Sequence, residues 1–214
     1  MARRHLPALA LALAGSAALT TLAKAHAGGP PIHIGNIGCG SRGIFVSGIL
    51  KENPRLQLAA AADYFRDRAA TIGEKFGIAA DRPFHGLDGC QNMLEHVDVI
   101  AIHSPSFFHV QQAIDAVAAG KHVLIAKPGA IDVAGCGVIR QLAKDAAAKG
   151  IVVYADVQCR GDALFQEGIQ HIHSGRTGEL QFGECHYGAD LILLQSDAGG
   201  MPEGRHPDLT GLNA

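Results

Sequence analysis

The chain has 214 residues, is 48% hydrophobic and 18% charged, and carries a formal net charge of −2, a composition that excludes intrinsic disorder and a basic nucleic-acid surface. Its five cysteines (Cys39, Cys90, Cys136, Cys159, Cys185) are odd in number and contain no C-x-x-C pair, so neither a disulfide framework nor a zinc site is indicated.

The first 27 residues read as an export leader. Arg3 and Arg4 form a positive start, Leu6 to Leu22 an Ala/Leu-rich apolar stretch, and Ala25-His26-Ala27 a small-x-small cleavage site. The apolar run is broken by Gly15-Ser16, so no membrane span is expected to remain after processing. The paired arginines look like the twin-arginine type, without that signal's usual aromatic-leucine-lysine continuation. A periplasmic or secreted protein starting near Gly28 is the expectation.

A short apolar strand, from Ile32, then runs into Gly38-Cys39-Gly40-Ser41-Arg42-Gly43, a Gly-x-Gly-x-x-Gly turn. Gly38 allows the turn, Gly40 lets backbone approach a pyrophosphate, and Gly43 lets the next helix, expected from near Ile44, pack close. That helix would aim its free N–H groups and positive dipole end at the phosphates. A second apolar run, Leu56 to Ala62, ends in Asp63, twenty residues after Gly43, where a carboxylate suits an adenosine ribose. Asp63 favours NAD; Arg66 and Arg68 leave NADP open.

Strand and helix then alternate. Arg66 to Phe76 has helical spacing closed by Gly77, a loop follows, and Gly86 to Glu95 reads as a short helix. Val97 to Ile102 is an apolar run suited to a strand buried on both faces, ending at His103-Ser104-Pro105. Further on come a helix at Val110 to Ala119, a strand at His122 to Ile125, a helix at Val133 to Lys149 and a strand at Ile151 to Ala155. This order predicts an α/β, doubly wound parallel sheet of Rossmann type across residues 28–156. Beyond Arg160 a helix at Phe165 to His173, a turn at Ser174 to Gly178 and a strand at Gln181 to Tyr187 open residues 157–214, the expected start of an incomplete α+β second domain. Among twelve histidines, His171 and His173 fall on different sides of a helix, and Cys185 and His186 alternate along a strand, so no metal is expected. Cys39 reads as a small residue tolerated in the turn.

Taken in order, the Gly38 to Gly43 turn, Asp63, Asp98-Val99-Ile100 leading to Ser104-Pro105-Ser106-Phe107-Phe108-His109, Ala119 to Val123, Lys127-Pro128 and Ser174 to Glu179 resemble the Gfo/Idh/MocA family of oxidoreductases. The resemblance covers about residues 32 to 190. It implies a Rossmann domain followed by an open, mostly antiparallel sheet that supplies a substrate pocket and a homo-oligomer interface. By the same resemblance Gly38, Cys39, Gly40, Ser41, Arg42 and Gly43 would meet the pyrophosphate and Asp63 the ribose. Ser104, Pro105 and His109 match a segment beside the cofactor, and Lys127 matches a Glu-Lys-Pro lysine that contacts cofactor and serves catalysis. The implied activity is NAD(P)-dependent hydride transfer with a small carbohydrate-like substrate, a sugar, polyol or related carbinol. The alternatives are a dinucleotide-binding module without turnover and NAD-dependent glycoside hydrolysis. Two departures stand out: Ala126 replaces the glutamate before Lys127, and no residue matches the family's histidine-aspartate base. His206-Pro207-Asp208 falls too early to claim that role.

Overall fold

The computed structural model describes residues 30–184 and 186. Six parallel strands form one sheet: β1 (Ile32–Ile37), β2 (Leu56–Asp63), β3 (Pro83–His85), β4 (Val99–Ile102), β5 (His122–Ala126) and β6 (Val153–Asp156). Their spatial order is β3-β2-β1-β4-β5-β6, the doubly wound order in which the direction of winding reverses between β1 and β4. The helices are α1 (Ser41–Lys51), α2 (Arg66–Phe76), α3 (Gly89–Met93), α4 (His109–Ala118), α5 (Val133–Ala147), α6 (Gln158–Gly161) and α7 (Ala163–His173).

Two apolar layers hold the sheet. Ile100, Ile102, Val123 and Ile125 point to one face, where Met93, Ala113, Ala116, Val117 and Ala146 of α3, α4 and α5 cover them. Ala101 lies on the opposite face with Ile34, Leu58 and Ala61, packed against Ala69 and Ile72 of α2. The alternation of side chains along β4 thus becomes burial on both faces, as the continuous apolar run required. The run Ala59 to Ala62 is a good helix former by propensity. It forms a strand here because the central position next to β1 buries it on both sides, and Ala60 and Ala61 are fully buried. A register shift between Ile34 and Gly35 lets β1 pair with β2 on either side of Ala59.

Several expected boundaries move. The first helix starts at Ser41, not near Ile44, so Arg42 and Gly43 lie in its first turn. β3 was not expected at all: three residues opening on a proline carry no periodic signal. The expected helix over Gly86 to Glu95 is shorter, α3 followed by a 3₁₀ turn at Leu94–His96. The strand expected from Gln181 is absent over 181–184, where no strand partner is present among the described residues. The leader, Tyr187 and His206-Pro207-Asp208 lie outside the described residues. No described helix is long and apolar enough to cross a membrane.

Candidate dinucleotide site

The expected site residues converge at the carboxyl ends of β1, β2, β4 and β5, around the winding switch point. Three backbone hydrogen bonds fix the start of the glycine loop: Gly38 N–H donates to Ala62 C=O (2.9 Å), His103 N–H to Ile37 C=O (2.7 Å), and Ile44 N–H to Gly40 C=O (2.9 Å). Gly38 sits at φ +86° against the backbone of His103 and Ser104, so closely that any Cβ there would collide with it. A Cβ on Gly43 would strike the carbonyl oxygen of Gly38. At Gly40, by contrast, a Cβ would meet only Arg68 Nη1 at 3.9 Å, which leaves room for a ligand to approach that backbone.

The N-terminus of α1 differs from those of α5 and α7. Asp132 caps α5 by accepting from Gly135 N–H, and Asp162 caps α7 by accepting from Leu164 and Phe165 N–H. Gly40, at the start of α1, offers no side-chain cap, and the first turn contains no acidic residue. Helix-terminal donors without a cap are suited to an external anion, and the dipole favours the same charge. Ser41 is exposed and Arg42 half-buried at this end. The residues therefore fit a pyrophosphate.

Asp63 is already engaged. Its Oδ2 accepts from Cys39 N–H (2.7 Å) and its Oδ1 from Phe65 N–H (2.9 Å). A carboxylate offers about four acceptor positions, so capacity for a ribose hydroxyl remains. Asp63 thus shapes the glycine loop. Cys39 turns inward, its Sγ donating to Ala62 C=O at 3.3 Å. Burial, and then the Asp63 charge, push its thiol up to about 12; burial does the same to Cys90. At pH 8 both are almost wholly protonated and unreactive. Iodoacetamide is expected to label exposed Cys136 and Cys159 and to spare Cys39 and Cys90 in native protein. Mass mapping that found Cys39 labelled would mean that the loop opens in solution.

Three residues outside the expected site set, Asp156, Asn36 and His103, shape this end of the sheet together with Arg42 of the glycine loop. Arg42 forms a short ion pair with Asp156 at the end of β6, a link across the mouth of the site. Buried Asn36 donates from Nδ2 to Gly38 C=O (3.1 Å) and meets His103 Nδ1 with its Oδ1 (2.8 Å). His103 follows β4 directly. None had a motif to reveal it; an asparagine inside an apolar strand was the available signal.

His109 and Ser104 act on the loops rather than on open space. The ring of His109 is 1% exposed. Its Nδ1 lies 2.8 Å from Pro128 C=O and its Nε2 2.8 Å from Ser104 C=O, so the imidazole ties the loop after β4 to the loop after β5. Ser104 Oγ donates to Gln112 Oε1 (2.6 Å), and Pro105 opens the 3₁₀ turn at Ser106–Phe108. Lys127, in a cis peptide bond to Pro128, stands exposed just after β5 and has no ion-pair partner among the described residues. Ala126 pairs in register with Asp156 of β6, whose carboxylate Arg42 holds. A cavity of about 670 Å³ lined by Phe84, Gln91, Leu94 and Lys121 contains none of these residues.

Comparison with known proteins agrees with this fold. Residues 32–154 match a family model described as an oxidoreductase family with an NAD-binding Rossmann fold, Gfo/Idh/MocA. An uncharacterized oxidoreductase, ORF334, from Rhizobium meliloti is 29% identical over 150 residues, which are 68% of this chain and 43% of that protein. The chain thus spans less than half the length of that relative. Apo scyllo-inositol dehydrogenase from Lactobacillus casei superposes with a TM-score of 0.59 at 25% identity, over 70% of this chain and 43% of that one. KijD10, a 3-ketoreductase from Actinomadura kijaniata solved with TDP-benzene and NADP, gives 0.57 at 26% identity, over 68% and 44%.

Proposed function

Because this chain belongs to the Gfo/Idh/MocA oxidoreductase family, with an NAD-binding Rossmann fold over residues 32–154, we propose that it seats NAD(P) on the loop from Gly38 to Gly43 and serves hydride transfer with a sugar, polyol or related carbinol. The observation that carries the reading is the uncapped start of α1 beside the open backbone of Gly40. Bound there, the cofactor supplies a nicotinamide that accepts or returns hydride.

The chain's own residues would do the rest. Gly40, Ser41, Arg42 and Gly43 would hold the pyrophosphate, with Cys39 contributing its backbone only. Asp63 would face the adenosine ribose while keeping the loop in place. Ser104, Pro105 and His109 would fix the wall after β4, the histidine as a positioning residue. Lys127, a cation on an exposed loop beside that wall, would stabilise negative charge growing on the carbinol oxygen. Ala126 favours a second reading, a binding module without turnover, because it supplies no carboxylate next to Lys127 and the Asp156 carboxylate in register with it is held by Arg42. Residues 1–27 would direct export, and residues 157–214 would begin a substrate and homo-oligomer domain. Turnover of NAD(P) with any member of a sugar and polyol panel would remove the binding-only reading.

Titration of NADH and NADPH, followed by the cofactor's own fluorescence, tests the dinucleotide site directly. Binding is expected, with NADH preferred; absence of binding for both would end the proposal. Asp63→Asn keeps one of two acceptor oxygens and removes the charge facing a 2′-phosphate. The NADPH-to-NADH affinity ratio is expected to rise by about tenfold. An unchanged ratio would mean that the ribose is read elsewhere.

A further inference from the structure

The ion pair between Arg42 and Asp156 crosses the crevice at the carboxyl ends of the strands. Arg42 stands in the first turn of α1, in the glycine loop that leaves β1, and Asp156 is the last residue of β6. In the order β1-β4-β5-β6 the two strands lie three spacings apart, about 14 Å, so the pair reaches over the ends of β4 and β5. His103, one residue past β4, feels both partners: burial and then the Arg42 charge lower its imidazole to about 4, and the Asp156 charge opposes them. Doubly wound sheets take their ligands at this same place.

Arg42 is the only charged residue between Gly38 and Gly43, and its guanidinium is turned to β6. A pyrophosphate seated on the Gly40 backbone calls for that guanidinium at the start of α1 instead. Carboxylate and phosphate engage the same fork of guanidinium donors, so Asp156 and a pyrophosphate are alternative anions for one arginine. The two side chains keep 36% and 23% of their exposure. An ion pair so placed is worth at most about fivefold in an equilibrium, weak enough for an incoming pyrophosphate to break. We propose that Asp156 is a built-in competitor for the dinucleotide: it holds Arg42 across the crevice and yields it to the pyrophosphate on binding. Asp156 is thus a positioning residue that sets affinity through Arg42 without touching the ligand. The assignment rests on the dinucleotide reading above.

The test uses the full chain and three probes, NADH, ADP and adenosine. Asp156→Asn keeps the shape of the side chain and removes the charge that holds Arg42. NADH and ADP are expected to bind about fivefold tighter, and adenosine, which has no phosphate, with unchanged affinity. Arg42→Gln is expected to weaken NADH and ADP, and adding Asp156→Asn to it should bring no further change, because the two residues act as one unit. Unchanged or weaker NADH binding by Asp156→Asn overturns the assignment, and so does an equal gain for adenosine. An equal gain in the Arg42→Gln background also overturns it, since that would mark a general repulsion between Asp156 and the ligand. In wild-type protein the Asp156 carboxyl carbon resonance is expected to move toward that of an unpaired carboxylate on saturation with ADP, a readout that does not depend on a variant folding. An unmoved resonance overturns the assignment. Failure of wild-type protein to bind both NADH and ADP would instead bring down the dinucleotide reading itself.

Discussion

Gly43→Ala is expected to abolish dinucleotide binding and to destabilise the fold by about 3 kcal/mol or more, a magnitude at the upper end for overpacking. The new methyl would collide with the Gly38 carbonyl oxygen and lie 2.9 Å from Asn36 Nδ2. Neither neighbour can yield cheaply. Gly38 is wedged against the backbone of His103 and Ser104, and Asn36 is fully buried with both ends of its amide engaged. Relief would have to come from moving α1 away from β1, which withdraws the helix start from the phosphates. Gly48 supplies the control within the same helix: no atom lies within 4 Å of its Cβ position. Gly48→Ala should therefore stabilise by about 0.5–1 kcal/mol, from helix propensity alone. Thermal unfolding of the two variants and NADH titration of each decide the matter. Equal binding by Gly43→Ala and wild type would mean that the loop is not the cofactor seat.

Lys127→Met should lower turnover by roughly a hundredfold to a thousandfold in protein active on a sugar or polyol, as expected when a stabiliser of developing oxyanion charge is removed. Dinucleotide affinity should stay within about threefold, because the lysine lies after β5 and makes none of the loop's hydrogen bonds. The split between turnover and binding is the informative part. Methionine keeps the apolar stem and deletes the charge, so a fall in both quantities would point to a packing role, and no fall in turnover would remove Lys127 from the chemistry.

The frame of the fold was legible because its signals are local. Arg66–Phe76 ends where Gly77 takes φ +71°, and the turns after α4 and α5 close at Gly120 and Gly150 with φ +76° and +73°. Apolar runs at Leu56 and Val99 gave central strands because both faces of the sheet are covered. The start of α1 was misplaced for a physical reason: glycine lowers helix propensity, yet close packing on β1 places Gly43 inside the first turn. In the site, the glycines and Asp63 could be named from spacing alone. Arg42 with Asp156, and Asn36 with His103, could not, since each pair joins residues far apart in sequence whose meeting depends on strand order. The buried ring of His109, set between the carbonyls of Pro128 and Ser104, likewise shows a tie between loops where the sequence offered only a histidine at a helix start.

The ion pair between Arg42 and Asp156 also bears on how the molecule is assembled. Its partners are 114 residues apart, one in the first helix and the other at the end of β6, the edge strand that enters the sheet last in chain order. During synthesis the glycine loop is made early, but the arginine beside it waits for its counter-charge until nearly the whole sheet has emerged. Contacts of such long sequence separation form late, because the intervening chain must be ordered first. Completion of the glycine loop's surroundings is thus tied to addition of the last edge strand, and a nascent chain stalled before β6 would carry the fingerprint without its finished electrostatics.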